Sequence, residues 1–170
     1  MRAAHQATHV PLRPENVPAE LKVRPQWVVW RLEKQDGRET KVPYRATSPN
    51  VKASATDLMT WGTFEGALAA CERGDADGVG FVFSSGDPYA GVDLDGCRNS
   101  ESGHVEEWAV RIIDELRGYA EISPSGEGVH IIVKGRLPEG VKHKIERENG
   151  RKIEAYSERR FFTMIGRKLK

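Results

Sequence analysis

Only two cysteines, Cys71 and Cys97, occur in the 170 residues, and no CxxC spacing is present. That excludes a disulfide framework and a thiolate metal knuckle, and it points to a reduced, cytoplasmic setting in which both act as small apolar side chains. No stretch approaches the roughly 18 apolar residues that would span a bilayer, and the first residues lack the apolar core of a secretory leader, so a soluble protein is expected. Excess charge is missing too. Lys and Arg number 26 against 25 Asp and Glu, so bulk electrostatics select no partner. The chain has no internal repeat, no low-complexity tract, no GxxxxGK[ST] loop and no His-x-His pair. Solenoids, P-loop nucleotide binding and the metal site of a rolling-circle nickase are thereby set aside.

Charge is distributed unevenly along the chain. Residues 54–101 hold nine acidic side chains against Arg73 and Arg98, whereas residues 131–170 hold twelve Lys or Arg against five Glu. An acidic half beside a basic half suits a polyanion bound through a metal. Residues 1–19 lack periodicity and are expected to form a flexible arm, and residues 20–170 one folded domain. Alternation and turn chemistry predict strands over 27–32 and 41–44, joined through Asp36-Gly37, and then a long polar loop over 45–57. A helix is predicted over 63–73, with Phe64, Leu68 and Cys71 on one face, and a second over 105–117, with Trp108, Ile112 and Leu116 in line before Gly118. Further strands are predicted over 78–83, 119–122, 129–134, 152–156 and 161–165. The fold class is α+β, with helices on one side of a mixed, largely antiparallel sheet.

The densest chemistry is Gly91-Val92-Asp93-Leu94-Asp95-Gly96-Cys97, at the end of an apolar strand. Side chains at i and i+2 leave the same face, so Asp93 and Asp95 point together while Leu94 enters the core. Two like charges so close suit a hard divalent cation such as Mg²⁺ or Mn²⁺, which prefers carboxylate oxygens and recruits substrate phosphates. Nucleases, kinases and polymerases all remain compatible. A second constellation runs Ser123-Pro124-Ser125-Gly126-Glu127-Gly128-Val129-His130 into a strand ending at Lys134. Hydroxyls and glycine amides could cradle a triphosphate there, with His130 and Lys134 on one strand face. In the third, Ile153 and Ala155 face the core, Glu154 leaves the other side as a third carboxylate, and Arg159 and Arg160 follow in a turn where a guanidinium fork could meet phosphate.

A DxD on a strand, a histidine 35 residues later behind a Ser/Gly turn, and an acid 24 residues beyond that resemble the archaeo-eukaryotic primase superfamily. Within it, the likeness is to the bifunctional primase-polymerase (PrimPol) domains of phage and plasmid replication proteins. Asp93-Leu94-Asp95 resembles the first family motif, His130 the second and Glu154 the third, and similar flanking residues extend the likeness over about 23–166. The second motif is often Ser-x-His, but Gly128 stands in the serine's place, so that role would fall to Ser123 or Ser125. Glu154 stands where many relatives have Asp. The resemblance implies an RRM-like catalytic palm and template-directed nucleotidyl transfer with two divalent ions, Mg²⁺ or Mn²⁺, held by Asp93, Asp95 and Glu154. It also implies that His130 contacts the incoming NTP or dNTP, with Ser123, Ser125, Gly126, Lys134 and Arg160 as further nucleotide contacts. Lys142, Lys144, Arg147, Arg151 and Lys152 would bind the phosphates of a single-stranded DNA template and primer. A helical accessory region and a helicase are expected elsewhere in a longer protein. The alternatives are an inactive nucleic-acid-binding module of the same fold and a metal-dependent nuclease.

Overall fold

The computed structural model describes residues 11–169. Nine strands form two sheets in which every strand pairing is antiparallel. The single sheet expected from the sequence is therefore two.

The first sheet contains β1 (Trp27–Gln35), β2 (Arg38–Tyr44), β3 (Gly78–Phe83) and β9 (Arg160–Met164), in the order β2-β1-β3-β9. Asp36 and Gly37, both at positive φ, make the tight turn between β1 and β2 that Asp-Gly chemistry predicted. One face carries Trp27, Val29, Val79, Phe81 and Phe162 into the larger core cluster. There Phe64, Ala67 and Ala70 of α2 (Phe64–Glu72) join them. Thr63 caps this helix, its hydroxyl accepting from Gly66 N–H at 3.1 Å.

The second sheet holds β4 (Tyr89–Asp95), β5 (Tyr119–Ile122), β6 (Val129–Lys134), β7 (Lys144–Glu146) and β8 (Lys152–Tyr156), in the order β5-β6-β4-β8-β7. Val92, Leu94, Val129, Ile131, Ile153 and Ala155 pack on α3 (Glu107–Leu116) through Trp108, Ala109, Ile112 and Ile113. With β4 central, β6 and β8 beside it and β5 outside β6, this half has the strand order of an RRM-like palm. Between β6 and β8, where such a palm carries its second helix, this chain has β7 and a single 3₁₀ turn.

The sheets meet where Phe83 and Phe162 lie over Gly91. A Cβ on Gly91 would stand 2.5 Å from both rings, so only glycine lets the first sheet approach β4 this closely. Of the arm expected over 1–19, residues 1–10 lie outside the described residues. The remainder is docked rather than loose: Val17 is buried, Arg13 N–H donates to the Ile165 carbonyl at 2.7 Å, and α1 (Ala19–Lys22) follows directly. Cys97 is buried and Cys71 partly so, and burial pushes their thiols up to about 11 and about 12. No helix among the described residues is long and apolar enough to cross a membrane.

Candidate active site

Because β4 is central, its odd-numbered side chains stand between two partners. Asp93 lies opposite His130 of β6 on one side and Glu154 of β8 on the other, while Glu121 of β5 lies opposite His130 and Lys144 of β7 opposite Glu154. Residues in direct register share a face, so one row of five polar side chains crosses the sheet on the side away from α3. Asp95 stands one pleat further along, exposed, and opposite Lys152.

The His130 ring is buried against Phe162, with centroids 5.0 Å apart. Its Nδ1 lies 3.1 Å from the Thr163 carbonyl. A carbonyl only accepts, so Nδ1 carries a proton. Nε2 is thereby aimed at Asp93, 3.5 Å away. Burial holds the Asp93 carboxyl above the ordinary aspartate range. His130 opposes that rise, the charges of Asp95 and Glu154 add to it, and Lys41 opposes it. Glu154 accepts from the Tyr156 hydroxyl at 3.2 Å and pairs with Arg160 at 3.3 Å.

The row opens into a cleft of about 670 Å³ between the sheets. Asp93 and His130 line one side, and Lys41 of β2 with Arg160 and Thr163 of β9 line the other. Lys41 and Thr163, which line the cleft, and Glu121, which lies opposite His130, are positions at the site that sequence reasoning did not single out as site residues. Glu121 is fully buried; its carboxylate accepts from the Ile165 and Gly166 amides at 2.9 and 2.8 Å and from the Tyr119 hydroxyl at 2.8 Å. It thus anchors the end of the strand whose Thr163 carbonyl orients His130. The available signals were Lys41 in the Lys-x-Pro of β2 and a lone acid inside the short apolar strand β5.

Other expected contacts sit differently. In the Ser/Gly turn, Gly126 N–H donates to the Ser123 carbonyl, Glu127 N–H to the Ser125 hydroxyl and Gly128 N–H to the Ser123 hydroxyl. These donors are satisfied within the chain, and the turn fixes the start of β6. Lys134 pairs with Glu20 at 2.8 Å, four residues along β6 from His130 and outside the cleft. Arg151 pairs with Glu106, and Arg147 lies over the Trp108 ring at 4.9 Å, so both clamp the β7–β8 region to α3. Lys144 and Lys152 flank the acidic row as neighbours of Glu154 and Asp95. Among the described residues, no three His, Cys or acidic side chains converge into a ready-made metal cage.

No family model matches the chain. Over 141 residues, 83% of its length, it is 40% identical to the DNA primase-polymerase of Nitratiruptor phage NrS-1. The match covers 19% of that protein, so the chain spans about a fifth of the length of the curated relative. Identity of this order across most of the chain agrees with the motif spacing and with the facing of those motifs across β6, β4 and β8, and it supports the likeness to the primase-polymerase (PrimPol) domains.

Proposed function

We propose that this chain is the catalytic domain of a DNA primase-polymerase, which joins an incoming nucleotide to the 3′-hydroxyl of a primer on a single-stranded DNA template. The observation that carries the reading is the register that sets His130, Asp93 and Glu154 side by side on the cleft face, with Asp95 one pleat away. Metal dependence fits this donor set. Asp93 is desolvated and pressed by two further carboxylates, a concentration of negative oxygen that hard cations relieve. Asp93, Asp95 and Glu154 are the residues that would hold them, two ions of Mg²⁺ or Mn²⁺. Such ions supply Lewis acidity at the attacking hydroxyl and at the departing pyrophosphate.

The protein's own groups position the substrate. His130, fixed through Nδ1, presents Nε2 to the nucleotide's phosphates. Arg160 is half exposed and needs only to leave Glu154 to do the same, which frees that carboxylate for a cation. Lys142, Lys144 and Lys152 would carry template phosphates without reading sequence. The helical accessory region and helicase belong to the remainder of a longer protein.

The test is extension of a labelled primer with ribo- or deoxynucleotides in Mg²⁺ or Mn²⁺. Asp93→Ala or Asp95→Ala lowers extension at least about a hundredfold while DNA binding persists; near-normal extension by either variant overturns the assignment. Shortening of the primer would favour a nuclease, and DNA binding indifferent to divalent ions, with no extension, an inactive binding module.

A further inference from the structure

The cleft brings the Asp93 carboxylate of the second sheet to face Lys41, Arg159 and Arg160, with Glu39 beside Lys41 on β2. Lys41 is the least explained of these cations. It sits on the face of β2 that carries Pro43, opposite Leu32, and both of those side chains also line the cleft. Its ammonium lies 5.5 Å from the centroid of the Trp30 ring. It feels the charges of both Asp93 and Asp95, yet among the described residues it forms no ion pair or hydrogen bond. Three N–H donors are thus held at the mouth of an acidic site without an acceptor. A second unmet donor lies in the same cleft: the Thr163 hydroxyl is buried and has no partner.

Donors facing carboxylates across a gap fit a ligand with two sides, one bearing cations toward the acids and one bearing anionic oxygens toward the donors. A metal-bound triphosphate has that character. Building on the polymerase reading, we infer that Lys41 is a substrate-contacting residue: its ammonium takes phosphate oxygens of the incoming nucleotide, and in the empty site it opposes the cations. The same charge then acts with opposite sign on two ligands. Without nucleotide it repels a divalent ion; with nucleotide it attracts the phosphates that the ion brings.

Measuring the two affinities separately tests this. Mn²⁺ binding is followed by electron paramagnetic resonance without nucleotide, and binding of a non-hydrolysable deoxynucleoside triphosphate by titration in saturating Mn²⁺. For Lys41→Met, Mn²⁺ binds about three- to tenfold tighter and the analogue about tenfold weaker or more, whereas Lys41→Arg stays near the unmodified protein in both. A variant that merely loses structure lowers both affinities. That result, or unchanged analogue binding in Lys41→Met, overturns the inference. If the unmodified protein binds Mn²⁺ but no analogue, the polymerase reading itself fails, and the inference with it.

Discussion

Asp93 holds its proton above the ordinary aspartate range because burial strips its water and two neighbouring carboxylates repel its charge. Glu121, also raised by burial, behaves alike. With the folded value above the unfolded one, the native state binds more protons than the unfolded state between the two values. Stability of the metal-free protein therefore falls as pH rises from the ordinary carboxylate range through the raised values. Urea midpoints measured across that range in chelator should decline, and Asp93→Asn should flatten the decline and raise the midpoint at neutral pH while abolishing extension. An Asp93→Asn midpoint at or below that of the unmodified protein would contradict this account. Asp93 and Asp95 were legible because the i, i+2 rule needs only local geometry. Lys41 and Glu121 were not, because their importance comes from what lies across the cleft or the sheet, and no local pattern records those partners.

The β7–β8 hairpin separates two uses of positive charge. Arg147 and Arg151 are held on α3 by Trp108 and Glu106, so their removal should loosen the hairpin more than it weakens DNA binding. Lys142 forms no ion pair among the described residues, and its side chain is exposed. In fluorescence anisotropy with single-stranded DNA, Lys142→Ala should reduce the salt slope by about one, while Arg151→Ala should leave it near its original value. Equal loss of slope in both would return Arg151 to the template surface. α2, α3 and the long strands were readable from periodicity, and Thr63 and Gly118 marked boundaries close to the observed ones, whereas the single turn of α1 was not foreseen. β7 was not readable. Three exposed residues carry no alternation, and the strand exists only because the edge of β8 offers it a ladder.

At the scale of the molecule, hairpin-like spacing suggested one sheet, but β8 and β9 are joined by three residues and enter different sheets. Arg159, at positive φ, lies in that turn. Nothing local distinguishes such a corner from a hairpin, so the two-sheet division was hidden while the α+β class was plain. Both walls of the cleft lie within this chain, which should therefore extend an annealed primer by itself and initiate poorly without one. A gel assay comparing the two reactions tests that division, and efficient initiation by this chain alone would refute it.

The placement of β9 also sets an order of assembly. Phe81 of β3 pairs with Phe162, a partner synthesised 81 residues later. The first sheet cannot close until nearly all of the described chain has been made, and the whole second sheet is formed in between. Such long-range closure slows folding and leaves an inner strand edge exposed while translation continues. The last strand also brings the Thr163 carbonyl, so a nascent chain already carries its acids before it has an oriented imidazole. Orientation of the imidazole therefore waits for β9, together with closure of the first sheet.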